Sequence, residues 1–426
     1  MSRGDGSDPF MKRRVLFRLF PFNLFTFPLL LNLWEREGID ELFRIEIITK
    51  EEELSGVGPE DTLLYSFMTP HLPLIFPEIE RVRSTGALLV AGGPHVTGDI
   101  DFGFRLGFHT LFTGPGEESF PLFGRELAEA PSLKVFHGKV YRGDPSSTLW
   151  TERWPFSKRF KQIPPLEIMR GCHWKCLYCQ SGQEKSSFRP PEGIVPYLEE
   201  TLKRGYNRLS FLSPSALEYG SLRPGVPDLE TLEAFLALAS SKKKILYREY
   251  GIFPSEIRPE TLRPETARLL RRYATNRKLT VGVQSGSSTL LSAIHRGHGL
   301  SVAQEAAESA NNEGFRLNLD FIVGLPDEGA QEREETFVFF QALHKKHRVW
   351  IQPHFFFPLS GSPYEKRFPS FFSPAERERL LSLRKEGYVA DWWIEDERKV
   401  LSFFGWLKRT FPDRFSLYRG APPPIR

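Results

Sequence analysis

Cys172, Cys176 and Cys179 are the only cysteines in this 426-residue chain, and all three fall within eight positions, in the stretch GCHWKCLYCQ. Three thiols cannot pair off as disulfides, and thiols scattered through a core would not cluster in this way. The spacing Cys-x₃-Cys-x₂-Cys reads as a metal or cluster site. Iron–sulfur clusters are held by Cys thiolates, usually four of them. A motif supplying three, with no fourth cysteine in the chain, leaves one iron of a [4Fe–4S] cluster open to a substrate or cofactor. Structural zinc asks for four closed ligands, and His173, next to Cys172, is poorly placed as a fourth.

The elements around the motif must present it at an accessible face. From residue 166 onward, apolar runs alternate with helical patterns. The predicted strands are 166–169, 208–212, 247–253, 279–285, 317–323 and 350–357, with helices over 192–204, 228–240, 264–274, 301–314 and 331–346. Six strand–helix units make a barrel or part-barrel, whose chemistry sits on the loops at the C-terminal strand ends. The cysteine motif follows the first strand directly and so belongs to that face. Upstream, strands at 15–20, 43–49, 62–68, 87–93 and 110–114 alternate with helices at 24–37, 71–84, 99–106 and 116–128. That order predicts a doubly wound parallel sheet, which binds ligands at its strand carboxyl ends. Two of those ends are glycine turns, Gly92-Gly93-Pro94-His95 and Gly114-Pro115-Gly116-Glu117-Glu118. They allow close backbone approach to a ligand, or are simply tight strand-to-helix turns. A hairpin is expected at 133–143, then a linker with Trp150 and Trp154. The predicted organisation is an α/β chain with domains at 1–145 and 155–370 and a helical extension at 371–426. That extension opens with Ser373-Pro374-Ala375-Glu376, a capped helix start, and ends in GAPPPIR, which composition reads as disordered.

Composition narrows the function classes. Basic residues number 57 and acidic residues 53, so the net charge of +4 gives no case for nucleic-acid binding. Aromatics make up 13% and fit either large cores or flat cofactors. Sparse, unpaired cysteines point to a reducing, cytoplasmic location. Residues 11–33 are basic then apolar, but Arg18, Pro21, Asn23 and Pro28 interrupt the run and no small-residue cleavage site follows. No stretch is apolar enough for a membrane span.

The cysteine motif resembles the signature of the radical S-adenosylmethionine (SAM) superfamily, with Cys172, Cys176, Tyr178 and Cys179 matching position by position. The resemblance implies a [4Fe–4S] cluster on the three thiolates, SAM bound through the open iron, cleavage to a 5′-deoxyadenosyl radical, and an electron donor such as flavodoxin or ferredoxin. It places Tyr178 at the adenine. Where relatives carry Gly-Gly-Glu for the methionine amino group, this chain has Ser213 and Ser215; the ribose or carboxylate contacts fall to Gln284 and Ser285. Of the Gly-x-Ile-x-Gly-x-x-Glu adenine motif, Ile322 and Gly324 match while Asp320 and Asp327 depart. The first half resembles the cobalamin-binding domain often fused ahead of such barrels, with Gly92, Gly93, Gly114 and Gly116 in its two turns. The lower-ligand motif Asp-x-His-x-x-Gly is absent from this sequence, so a cobalamin here would carry no protein histidine on cobalt. The corrin is expected between the two domains, opposite the cluster. Residues 14–365 as a whole resemble the cobalamin-binding/radical SAM subgroup of unassigned substrate.

Two histidine features stay open. His295-Arg296-Gly297-His298 reads as a helix C-terminus with basic residues facing its dipole, or as a substrate-binding pair. His354 points into the barrel or sits in the core. Cobalamin-dependent methylation of a small-molecule or peptide substrate is the leading expectation. Radical rearrangement or cyclisation is second, and a cluster- or cobalamin-based sensor is the non-enzyme alternative. A methylthiotransferase would need a second set of cluster cysteines.

Overall fold

Five-residue runs rich in Leu, Val and Phe become the centre of the first parallel sheet, buried along most of their length. The computed structural model describes residues 12–425, so the start of the expected 1–145 domain, including Met11, lies outside the described residues. The chain divides into two compact units: residues 12–149 with 153–164, and residues 150–152 with 165–425.

The first unit runs β1 (Arg14–Arg18), α1 (Thr26–Glu37), β2 (Arg44–Ile48), β3 (Thr62–Ser66), α2 (Leu72–Arg83), β4 (Leu88–Gly92), α3 (Pro94–Gly98), α4 (Ile100–Arg105), β5 (Thr110–Thr113), α5 (Ser119–Glu129) and β6 (Lys139–Arg142). The six strands are all parallel, in the order β2-β1-β3-β4-β5-β6. The order reverses between β1 and β3, the point where doubly wound sheets take ligands. Trp34 on α1 stacks on Phe120 of α5 at 4.6 Å and donates its indole N–H to the Phe120 carbonyl, locking two helices over one face. Arg18 and Glu78 form a buried ion pair at 2.8 Å, completed by the Tyr65 hydroxyl.

The expected hairpin at 133–143 is absent. Leu133–Phe136 is a single helical turn capped by the Ser132 hydroxyl, and Lys139–Arg142 joins β5 in parallel. Leu133 and Phe136 are buried in the unit's core, so the segment's apolar alternation is met by the sheet edge. The helix expected at 99–106 is α4, capped by the Asp99 carboxylate, and the short α3 before it is an additional turn of helix.

The second unit continues β7 (Leu166–Glu167), β8 (Met169–Arg170), β9 (Ser187–Phe188), α6 (Val195–Lys203), β10 (Arg208–Leu212), α7 (Leu229–Ala239), β11 (Tyr247–Glu249), α8 (Pro264–Tyr273), β12 (Lys278–Gln284), α9 (Ser288–Ala293), α10 (Leu300–Asn312), β13 (Arg316–Val323), α11 (Ala330–Lys346) and β14 (Val349–Phe355). Six parallel strands stand where the alternation placed them, as two ladders, β7-β10-β11 and β12-β13-β14. Single bridges, Ser213 to Ser255 and Ile257 to Val281, join the ladders into a part-barrel.

Helices α12 (Pro374–Lys385), α13 (Trp392–Thr410) and α14 (Pro412–Phe415) belong to this unit. Ser373 and Glu376 form the expected capping box. The proline-containing end is laid back on the unit: Phe368 donates to the Arg419 carbonyl, Arg419 to the Lys366 carbonyl, and Pro423 is buried. Trp150 also belongs here, 2% exposed, with the guanidiniums of Arg170 and Arg189 over its ring. None of the described helices is long and apolar enough to cross a membrane.

Candidate functional site

The cysteine loop hangs from β7 and is tied at its base by the short antiparallel pair β8–β9, with Arg170 opposite Ser187. Further along, the Leu177 amide donates to the Ile294 carbonyl, the Tyr364 amide donates to the Leu177 carbonyl, and Cys179 N–H turns back onto the Cys176 carbonyl. The loop is therefore fixed to two segments far away in sequence.

The three thiols differ in environment. Burial pushes the Cys172 thiol up to about 11. Cys176 is the buried one of the three, and Arg296 and Arg258 each place a guanidinium nitrogen 3.7 Å from its sulfur. Burial raises its pKa, and the two cations outweigh burial, so the net shift is downward. Cys172 and Cys179 are partly exposed. Among the described residues no three His, Cys, Asp or Glu side chains gather as ligands of one ion. A cluster that takes one thiolate per iron asks for a wider arrangement than a tetrahedral zinc does. Three thiols on one anchored loop, with cations directed at the most buried of them, are a donor set suited to a [4Fe–4S] cluster.

A cavity of about 990 Å³ lies inside the part-barrel, lined by Tyr178 next to the last cysteine, by Gln284 of β12, and by Asp320 and Ile322 of β13. Strand alternation explains the grouping: residues two apart on β12, β13 and β14 face the same side, so Thr280, Asn318, Asp320, Gln352 and His354 reach the cavity. Leu317, Leu319 and Phe321 between them are fully buried in the core. Asp320 is 9% exposed, and its Oδ1 has no hydrogen-bond partner among the described residues. Burial first, and then the Glu256 carboxylate, push the Asp320 carboxyl up to about 8. His354 faces the cavity, with Nδ1 3.1 Å from Asp396 of α13. Burial alone would lower its pKa; Asp396, Asp320 and Glu256 outweigh it and raise it.

The other expected SAM contacts are placed differently. Ser213 meets the Ser255 hydroxyl at 2.5 Å, and Ser215 is fully buried with its hydroxyl unpartnered among the described residues. Ser285 bonds Thr336 and the Ser287 amide. The Gly324 amide donates to Glu328. None of these four lines the cavity. Glu328 is an acidic residue that the motif comparison missed, because it stands one position past Asp327. It is 3% exposed, pairs with Arg333 at 3.3 Å, and burial pushes it up to about 7. Asp327 instead binds Tyr364 and Arg367.

The helix-end reading of residues 295–298 holds for its place, since α9 ends just before them, but the left-handed position after the last turn is taken by His295 (φ +56°) rather than by Gly297 as cap. Helix α9 stops at Ala293, and Arg296 turns inward, 5% exposed, donating to the Gly282 carbonyl as well as to Cys176. His295 is exposed while His298 is buried, so the two do not form a pair. Burial and Arg296 lower His298 to about 4, leaving it neutral.

In the first unit the glycine turns serve the fold itself. Gly93 has φ +100°, and a Cβ there would lie 2.8 Å from the Phe67 carbonyl oxygen. Gly114 has φ +71°, with the Gly143 carbonyl 3.0 Å from such a Cβ. At Gly92 and Gly116 an added Cβ would meet side chains, Phe112 and Leu30. His95 is 1% exposed, with Nδ1 3.1 Å from the Thr69 hydroxyl, and is a core residue. At the β1/β3 reversal, Phe20, Phe22 and His71 form a partly exposed aromatic stack, with ring separations of 4.8 and 3.6 Å. This flat apolar face fits a large planar ring system.

Comparisons with known proteins bear on both units. The sequence profile of the radical SAM superfamily matches residues 166–340. An uncharacterised protein of Methanopyrus kandleri is 22% identical, over 87% of this chain and 83% of its own length. A tRNA-2-methylthio-N(6)-dimethylallyladenosine synthase of Petrotoga mobilis is 30% identical over 43% of this chain, and the match covers 40% of that synthase. Among solved structures, the radical SAM methyltransferase TsrM from Kitasatospora setae, with cobalamin and a [4Fe-4S] cluster bound, aligns over 84% of this chain and 74% of its own. Its TM-score is 0.58 at 14% identity. The cobalamin-dependent SAM radical enzyme OxsB, with aqua-cobalamin and SAM bound, aligns over 88% of this chain and 61% of its own, with TM-score 0.60 at 14% identity. At such identities these structures establish the shared fold.

Proposed function

We infer, from the membership of this chain in the radical SAM superfamily through residues 166–340 and from its fold, shared with cobalamin-dependent radical SAM enzymes, that it is a radical SAM enzyme performing a cobalamin-dependent methyl transfer. The observation that carries this reading is the three-thiol loop at the C-terminal end of β7, with its neighbour Tyr178 lining a barrel cavity of about 990 Å³. When bound, the cluster supplies the electron that splits SAM and the corrinoid supplies a methyl carrier. Cys172, Cys176 and Cys179 would hold the cluster. Tyr178, Gln284 and Ile322 would hold SAM within the cavity, with Ser213, Ser215, Ser285 and Gly324 shaping the strand ends around it. Asp320 lines the cavity and would hydrogen-bond a polar group that enters. The Phe20–Phe22–His71 face would take the corrin, and Gly92, Gly93, Gly114 and Gly116 keep the neighbouring turns in shape. A flavodoxin or ferredoxin would reduce the cluster, and the substrate would be a small molecule or a peptide.

Radical rearrangement or cyclisation is the second reading, since a cavity and a cluster serve it equally. The tRNA methylthio synthases match between 40% and 59% of this chain, and the chain has three cysteines in all, which fill one cluster site. The test is anaerobic reconstitution, with iron content and 5′-deoxyadenosine formation measured with SAM and reductant, and hydroxocobalamin titrated by absorbance. The wild type is expected to hold about four irons, and Cys172→Ala, Cys176→Ala or Cys179→Ala each to lose the cluster and 5′-deoxyadenosine together. Full iron content in any of the three variants sinks the cluster assignment, and failure to bind cobalamin leaves the second reading.

A further inference from the structure

Arg258 lies in the loop after β11, 82 positions from Cys176, and is 4% exposed. Each part of its guanidinium has a different partner. Nη1 donates to Cys176 Sγ at 3.7 Å, Nε to Glu260 at 2.6 Å, and Nη2 to the Arg296 carbonyl. Its face lies 3.9 Å from the ring centre of Trp174, inside the cysteine loop. Trp174 is held from two other loops. Its indole N–H is shared between both Glu218 oxygens at 3.0 and 3.2 Å, and Gly297 packs so closely that a Cβ there would fall 2.2 Å from the ring. Glu218 is fully buried and also accepts the Gly225 amide at 2.6 Å.

The loops following β10, β11 and β12 thus converge on the five residues from Cys172 to Cys176, and Arg258 touches both the indole and the sulfur. We propose that Arg258 is a positioning residue for the cluster, clamping Trp174 and donating to the Cys176 sulfur so as to set the cluster's reduction potential. The proposal rests on the cluster assignment above. Hydrogen bonds to cluster sulfurs and nearby positive charge favour the more negative, reduced cluster and raise its potential. Arginine suits the position because one planar group donates in several directions while stacking on an aromatic face, which lysine cannot do.

The experiment is an anaerobic redox titration, followed by electron paramagnetic resonance, of wild type, Arg258→Gln and Arg258→Lys without SAM, with iron content measured in parallel. At a poise where half the wild-type clusters are reduced, about a tenth of the Arg258→Gln clusters should be. Arg258→Lys keeps the charge and should fall between the two. If Arg258→Gln fails to load iron, the lysine variant alone decides, through its midpoint and altered line shape. A fully loaded variant of either kind with the wild-type midpoint overturns the proposal. A wild type that holds no cluster overturns the function reading instead.

Discussion

The two parallel sheets use the same strand–helix alternation and put their polar side chains in different places. In the first unit, β3 is buried at every position, and its neighbours carry Val, Leu and Phe on both faces. In the second, β12, β13 and β14 are apolar on one face and present Thr280, Asn318, Asp320, Gln352 and His354 on the other. A sheet covered on both sides reads as continuous apolar runs, whereas one that lines a cavity reads as alternation. The difference shows which sequence signals report chemistry. Gly93 and Gly114 are fixed by backbone packing within their own unit, so they testify mainly to the fold. The alternating polar residues of β13 and the cysteine loop have no comparable structural duty.

The strongest way to break that comparison is Gly93→Val. A side chain at φ +100° costs about 1–3 kcal/mol in backbone strain alone, and its Cβ would meet the Phe67 backbone at 2.8 Å. The first unit is expected to lose several kcal/mol in denaturant unfolding, while iron loading of the second unit stays at the wild-type level. A well-folded Gly93→Val protein that has lost only cobalamin binding would return the turn to a ligand role.

A smaller effect should come from Asp320→Asn. The folded Asp320 carboxyl titrates near 8, against about 3.9 in an unfolded chain. Between those values the native state binds the extra proton, so its contribution to stability is present at low pH and is lost as pH rises through the window. Chemical denaturation at pH 5 and pH 8 should show the variant gaining more than about 1 kcal/mol on the wild type at the higher pH. Equal slopes would place Asp320 in an ordinary solvated setting and weaken the cavity's claim to substrate.

The smallest effect belongs to the first unit. Burial, then His137 stacked at 4.2 Å and Arg83, lower His109 to about 4. The unfolded chain takes up that proton first, so stability is lost as pH falls from about 6.5 towards 4. His109→Gln should flatten that acid limb by less than about 1 kcal/mol, since the residue is partly exposed to screening solvent. An acid limb unchanged in the variant would move the sensitivity to another group.

Strand positions in both units were legible because period-two alternation and short buried runs are local signals. The cysteine site was legible for the same reason, since its three ligands lie within one loop. What surrounds the thiols was not. Arg258 and Arg296 approach Cys176 from 82 and 120 positions away, and nothing local marks an arginine that turns inward after a strand. Gly297 marked the end of α9 correctly in place, but His295 takes the left-handed position after the helix, and nothing local showed Arg296 turning inward. Residues 133–143 misled: a turn-like glycine between apolar runs suits a hairpin, and only the open edge of β5 decides for parallel pairing.

The three residues Trp150–Glu152 carry a consequence for dissecting the chain. The polypeptide enters the second unit there, returns to the first for residues 153–164, and leaves again. Arg189 grips the carbonyls of Trp150 and Thr151 from the second unit, while Glu35 of the first holds the Ser157 hydroxyl at 2.8 Å and the Lys158 amide. Neither half is therefore encoded by one uninterrupted reading stretch. A gene fragment ending at 145 omits the strap that Glu35 anchors, and one beginning at 165 omits the indole slab beneath Arg170 and Arg189. A single junction at 149/150 leaves the first unit without residues 153–164, and one at 164/165 leaves the second without residues 150–152.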